Sequence, residues 1–540
     1  MWYSMVSNEQ CSCQKSQNLT ACRHDFVISG RRRANALSLE IEDFQAYTAD
    51  YSYLEERTPM NKIKKFFSDK INRINGQPIN KLDWAILIVL SVFMFVTMFY
   101  ADLIIIYNHS LTFLDSLFSF DMANFYANSL AKPYFGFGAV YYWTVYLVIG
   151  IWNLPVWILQ KLFGINVFSI KCLLWCRLEV VFFLILTLWM MEKLLREFGF
   201  GKEKYRFAQF LFASSLLVLL PTVSISQIDI ITVFLMLLGI YEYVRTDKIT
   251  WKFLLIFSFT ASLKIFALFV FIPLVLLREK RILYAIWDLL MGTVWIALCL
   301  LPYAGREDYI EATSVLNDVM VERMFTTTLP AGNVEIPAFL SILVAISIWA
   351  YIKKPQTKES CFYYVNWIGL AVFADFFIFV FAHPYWIVLL APYLILLVVM
   401  NAEHTKINLI LEFFLSACVS IFYWCTFGVY VTEDTFSYLV LPRFGLAPNG
   451  TGYQGLSGLI EAKDWENYVS VLFGIFVVCL LAFLWINRPE KKQEQYRVLL
   501  AEDWKNHVSG KLTFDHGMIY LRLLMVLVYI IACVYIAYLN

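Results

Sequence analysis

Charge is scarce in this chain. Only 16% of its 540 residues are Asp, Glu, Lys or Arg, and six are His. No Gly-rich phosphate loop ending in Gly-Lys-Ser/Thr occurs, and no soluble nucleotide-binding domain is present to carry one. An ATP-driven pump is thereby excluded, as is a nucleotide-sugar transferase with a soluble catalytic domain. There is no HExxH and no paired CxxC, which excludes the common zinc hydrolases and ribbons. Acidic and basic residues nearly balance, 42 against 43, so no net field draws in a polyanion and no nucleic-acid partner is expected. The eleven Cys are scattered. Cys172 and Cys176 share a helical face but lack further ligands, so they read as small buried hydrophobes. Neither a metal nor a cofactor is implied by any of these features.

What is present is apolar. The sequence is 60% hydrophobic and 18% aromatic, more than a soluble surface can hide, and a bilayer can accept it. The fold class expected is an all-α polytopic membrane protein. Windows of about 20 apolar residues mark spans near 84–107, 134–164, 168–192, 206–225, 229–245, 250–278, 282–303, 337–353, 361–381, 385–401, 407–431, 467–487 and 517–539. The first begins only near Trp84, so no signal peptide is read. Residues 1–82 form a cytoplasmic tail. Its first part, 1–59 with Arg31-Arg32-Arg33 and Cys11, Cys13 and Cys22, reads as an over-extended gene reading or a tail. The basic lead-in at Met60 looks like a natural start.

Lys and Arg near span ends set the orientation. The lead-in, Lys202-Glu203-Lys204, Arg278 to Arg281, Lys353-Lys354 and Arg488 to Arg497 are expected on the cytoplasmic side. Residues 108–133, 304–336 and 432–466 are then external. Two long runs carry Pro155 and Pro273. Splitting both into short paired segments, 134–164 as a hairpin and 250–278 as two passes meeting just after Lys264, keeps the basic loops inside, and re-entrant backbone is allowed where it lines a cavity.

Under that topology the polar residues gather at one external level. Ser226-Gln227-Ile228-Asp229 opens one helix and Lys264 breaks the next, while His383-Pro384-Tyr385-Trp386 joins two later helices. Ionisable groups at membrane depth cost roughly 3 kcal/mol on insertion scales, so they usually face a cavity and serve a function. A structural ion pair between helices is the competing reading. In the first loop, Asp121 before Asn124-Phe125-Tyr126 could take a proton from an acceptor hydroxyl; a capping or solvated Asp is the alternative. Lys264 could bind a lipid phosphate as a compact charge, and His383 beside Trp386 could add a second phosphate or sugar contact. Arg177, Glu179 and Asp375 read as bracing within the bundle. The loop at 304–336, with Arg306, Glu307, Asp308, Glu322 and Arg323, suits a lid over substrate or a plain solvated loop. Asn449-Gly450-Thr451 is a glycosylation sequon that matters only in a host that uses it.

An acidic first external loop, a Gln-x-Asp opening a later helix and a Lys ahead of Pro in the next broken helix together resemble the GT-C glycosyltransferase superfamily. The stretch from Ser224 to Lys280 looks most like bacterial relatives of GPI mannosyltransferases and of dolichyl-phosphate-sugar transferases, and HPYWIVLLAPYLILL is similar to a late-helix motif of such proteins. The resemblance covers roughly residues 80–400. It implies a GT-C-like bundle of about 13–15 transmembrane segments with a large first external loop, a catalytic core at 83–401 and a C-terminal membrane region at 402–540. It also implies inverting transfer of a hexose, mannose foremost, from a polyprenyl-phosphate-linked sugar donor. The acceptor would be a glycan, lipid or protein at the external face of a bacterial cell membrane, with membrane lipid as the surrounding partner. By position, Asp121 would be the base, Lys264 would contact the donor phosphate, and Gln227 and Asp229 would shape the sugar site. The first loop lacks an adjacent acidic pair, which leaves Asp115 and Asp121 both open as the base.

Two other classes stay in view. A transporter or lipid flippase also uses broken helices and buried charge, and predicts quasi-symmetric halves with charge near the bilayer centre. A polysaccharide polymerase or ligase predicts an Arg/His-rich external loop, which 304–336 supplies in part.

Overall fold

A computed structural model of the chain describes residues 79–98, 102–134, 136–316, 321–427, 455–489 and 514–539, with 508 and 512. The tail at 1–78 lies outside these residues, as do the Asn449 sequon, most of the 432–466 loop and the basic connection beyond 489.

The described chain is helical apart from one small hairpin. In order come α1 (Lys81–Thr97), α2 (Asp102–Phe118), α3 (Phe125–Ala131), α4 (Trp143–Phe163), α5 (Ile170–Glu197), α6 (Lys202–Ser214), α7 (Leu216–Leu219), α8 (Asp229–Arg245), α9 (Trp251–Leu263) and α10 (Ala267–Arg278). Then follow α11 (Ile282–Met291), α12 (Val294–Leu300), α13 (Glu307–Leu316), α14 (Glu322–Thr326) and the antiparallel strands β1 (Thr328–Ala331) and β2 (Val334–Pro337). The last helices are α15 (Ala338–Ile352), α16 (Lys358–Phe379), α17 (Ala391–Met400), α18 (Thr405–Thr426), α19 (Gly455–Ala462), α20 (Glu466–Ile486) and α21 (His516–Leu539). Six described helices are long and apolar enough to cross a membrane, or up to nine if each bent pair is one span. The protein is therefore an all-α polytopic membrane protein. Of the apolar window of α16, 78% is buried, against 22% for α20, so α16 is the central post and α20 shows most of its surface to lipid. Gly369 lets α16 meet α17 closely: a Cβ there would lie 2.2 Å from the Tyr393 ring.

Contacts order the helices between two ends. At one, α5 and α8 both finish, joined by Arg245 and Glu197 at 3.8 Å. Arg278 closes α10 there by donating to the Tyr243 and Thr246 carbonyls. Lys202, Lys280, Lys353 and Lys358 collect at this basic end. At the opposite end α1 stops, α5 starts and α8 starts: Arg177, two turns into α5, reaches the Phe95 carbonyl of α1 and the Val223 carbonyl just before α8.

This arrangement corrects the expected split of 134–164. α4 is one continuous helix with Pro155 inside it. It is nevertheless no net crossing, because α1 ends where α5 begins. α2 and α4 lie side by side and run the same way, His109 beside Tyr146 and Asp115 bonded to Trp157 and Lys161. If α4 crossed, residues 164–169 would have to return the chain over some 30 Å, and they can extend only about 20 Å. Residues 102–169 are thus a helical cap on one end of the bundle. The reason for the misreading is composition: a helix packed on the bundle's rim can be as apolar as a span.

The run at 250–278 does form two short arms, α9 and α10. The break falls at Lys264–Phe266 rather than at Pro273, which sits inside α10. Rings of Phe253 and Phe257 meet Phe271 at 5.5 and 5.4 Å, and the outer ends of both arms return to the basic end. Arms of 13 and 12 residues rise about 18–20 Å each, short of a hydrocarbon core of about 30 Å. The pair is a re-entrant hairpin with Lys264 at its tip. The predicted first span, 84–107, is a further correction. α1 ends at Thr97 and a new helix starts at Asp102, bent 67° from it; the apolar run Leu103 to Ile106 belongs to the cap.

Candidate functional site

The site grows from a strained turn. α7 passes through a π-type turn, Leu220–Ser224, and Ser226 then takes a left-handed φ of +61°. That conformation costs a non-Gly residue about 1–3 kcal/mol unless its surroundings hold it. Arg177 does so. Its guanidinium, 1% exposed, donates to Ser226 Oγ at 2.7 Å, to the Val223 and Ser224 carbonyls at 2.7 and 3.3 Å, and to the Phe95 carbonyl. Arg177 is thus a brace, as its place in the sequence suggests. Arg177→Met leaves three buried carbonyls without this donor, at about 1–3 kcal/mol each when unsatisfied. We expect it to lower the unfolding midpoint in detergent sharply, and an unchanged midpoint would mean that the turn holds itself.

The turn aims Gln227 and Asp229. Gln227 is fully buried and donates through Nε2 to Asp102 Oδ2 at 2.8 Å. Tyr385, next to His383, also bonds Asp102, and Lys264 lies within its electrostatic reach. Asp229, 0% exposed, faces the hairpin tip, with Lys264 Nζ 3.5 Å from its Oδ1. The ammonium donates to the Tyr141 hydroxyl at 3.2 Å and lies over that ring. Tyr141 comes from the cap, its carbonyl accepting from Tyr126 Oη and its amide donating to Tyr146 Oη. Two carboxylates therefore address one ammonium. Asp229 is sealed from solvent, whereas Asp102 is partly exposed.

Lys264 and Arg323 both lie within electrostatic reach of the His383 imidazole. Trp386 is 1% exposed and packs 4.6 Å from the ring of Phe266, two residues beyond Lys264. Its observed role is to hold the hairpin tip.

Asp121 stands apart. It accepts from Asn124 Nδ2 at 2.8 Å and Asn128 Nδ2 at 3.3 Å, on the outer side of the cap. Among the described residues its hydrogen-bond partners are distinct from those of Lys264. Arg306 faces it, donating to Asn124 Oδ1 at 3.3 Å and to Asp308 at 3.0 Å. Hydrogen bonding from Arg306 holds the Asp308 carboxyl below its ordinary pKa. Tyr303 ties this rim down by donating to the Met122 carbonyl at 2.8 Å. Asp115 is bound to Lys161 and to Trp157, both at 2.7 Å.

Asp102 is the member that the sequence reading passed over. The signal was present: a carboxylate inside an otherwise apolar window is costly. In the sequence it is masked within the apolar run 84–107, which Leu103 to Ile106 extend. No protein family, curated protein or solved structure matches the chain.

Chemically, the arrangement offers a fixed ammonium at the tip of a re-entrant hairpin with the Asp102 carboxyl beside it. Arg323, from the segment that follows α12, lies within reach of His383, while Arg306 stays with Asp121 and Asp308 on the cap's rim. Lys264 has three donors; the Tyr141 hydroxyl accepts from one, and Asp229 pairs with the ammonium through charge at 3.5 Å.

Proposed function

We propose that the chain is a membrane glycosyltransferase that moves a hexose, mannose foremost, from a polyprenyl-phosphate donor to an acceptor hydroxyl. The observation that carries this reading is the buried Lys264–Asp229 pair at a re-entrant tip, next to the more accessible Asp102. A leaving lipid phosphate needs a cation that is already in place, and the free donor of Lys264 supplies one. Arg323 adds positive charge close to His383, whose partly buried imidazole stays neutral and can serve only as a polar contact. An acceptor oxygen needs a base; of the two acids, Asp102 is the less deeply buried residue and is assigned that role. In this scheme the acceptor hydroxyl gives its proton to Asp102 as its oxygen bonds the anomeric carbon. The bond from that carbon to the phosphate oxygen breaks, and the polyprenyl phosphate leaves with the electron pair.

This assignment moves the base from Asp121 to Asp102. Asp121 and Arg306 then belong to the rim over which the acceptor enters. Gln227 orients Asp102, and Asp229 orients Lys264. The gathering of Lys and Arg at the opposite end supports an external site by the positive-inside rule, in keeping with a donor presented from the outer leaflet.

The test supplies radiolabelled polyprenyl-phosphate mannose and polyprenyl-phosphate glucose to membranes containing the protein. Label passing from either donor into product, dependent on the protein, supports the reading. Donors that stay intact with cell-envelope acceptors present would reject it.

A further inference from the structure

A cavity lies at the basic end, away from Lys264. It has a volume of about 570 Å³ and is lined by Arg278, Lys280, Lys354 and Lys358, with Asp247 as the one carboxylate on its wall. It forms where the end of α10, the turn after α8 and the start of α16 converge.

Three of its cations, Arg278, Lys280 and Lys358, are held in place by backbone carbonyls but not neutralised. Lys280 donates to the carbonyls of Leu276, Ala350 and Tyr351 at 2.7, 3.2 and 2.6 Å. Arg278 donates to two carbonyls and to Cys361 Sγ, and Lys358 donates to the Arg245 carbonyl at 3.0 Å. None of the four has a carboxylate within ion-pair distance among the described residues. The nearest acid in sequence, Glu279, is turned away onto Arg281 at 2.8 Å. Burial and the nearby Lys354 ammonium push Lys280 down to about 8, so like charges crowd one another here. The α16 helix, 22 residues long, also begins at this cavity. Its cap Thr357 satisfies the Ser360 amide, and the amides of Lys358 and Glu359 have no acceptor among the described residues. A helix N-terminus favours an anion.

We propose that this cavity binds a phosphate anion, carried by a lipid headgroup or by a soluble phosphate. Phosphate oxygens can accept from Arg278, Lys354 and Lys358, while Lys280, its three donors held by carbonyls, contributes charge alone; the anion's charge removes the mutual repulsion of the lysines. The volume suits a small headgroup. Basic pockets between membrane helices are natural seats for anionic lipid.

The experiment uses the full chain in phosphatidylcholine nanodiscs. Binding and thermal unfolding are followed on adding phosphatidylglycerol, and separately on adding inorganic phosphate. We expect saturable binding and a raised midpoint. Lys354→Gln/Lys358→Gln is expected to weaken binding about tenfold or more, since each lysine contributes a charge-assisted contact. Lys202→Gln/Lys406→Gln, which removes charge outside the cavity, is expected to bind like the parent. Response to phosphatidylglycerol alone assigns a lipid headgroup, and equal response to inorganic phosphate assigns a soluble one. Binding of neither overturns the proposal, as does equal loss in the two double variants. The proposal stands independently of the transferase reading, so its failure leaves the Lys264 site untouched.

Discussion

Lys264→Met is expected to cost the folded protein about 3–5 kcal/mol, because it strands a buried carboxylate. Asp229 is 0% exposed, and the ammonium 3.5 Å away is its ion-pair partner. Neither carboxylate oxygen of Asp229 has a conventional hydrogen bond, so no other group is placed to take over. Adding Asp229→Asn to the same chain removes the stranded charge and is expected to restore most of the loss. The measurement is thermal unfolding of the purified protein in micelles, singly and as a double-mutant cycle. A coupling near zero would show that the two residues do not act as a pair. The restored double variant also separates stability from function: it is expected to fold and yet to bind donor poorly.

Asp102→Asn is expected to lower turnover by about 10²–10⁴-fold, the usual contribution of a positioned general base. Asn keeps the shape and can still accept from Gln227, so folding and membrane insertion should be close to those of the parent. Asp121→Asn is expected to have a smaller effect. It loosens the contacts with Asn124 and Asn128 and the approach of Arg306, all on the cap's outer side. Rates for both variants, from the same donor and acceptor, decide between the two carboxylates. A large loss for Asp121→Asn with a near-normal Asp102→Asn would return the base to Asp121.

Much of this was legible in the sequence. The apolar content requires a helical membrane protein, and the Lys264 break follows from a charge that a continuous span cannot accommodate. The meeting of Asp229 with Lys264 was legible too, because both occur where polar residues open or break a helix. The cap was not legible. α4 passes every test of length and apolarity for a span, and only the Phe95–Arg177 contact reveals that the chain has not crossed. Asp102 was hidden for a related reason: hydropathy windows average a carboxylate with its apolar neighbours, and a 67° bend leaves no mark in such an average. Asp115 and Asp121 could not be told apart from spacing. Their partners come from Lys161, Trp157 and Arg306, all distant in sequence.

The most direct test of the central claim is binding of a short-chain polyprenyl-phosphate mannose to the purified full chain. It is compared with binding to the Asp229→Asn/Lys264→Met double variant. The account predicts saturable binding to the parent, competed by polyprenyl phosphate without sugar, and binding at least about tenfold weaker in the double variant once the ammonium is gone. Equal affinity in the two proteins, with the variant folded, would contradict it.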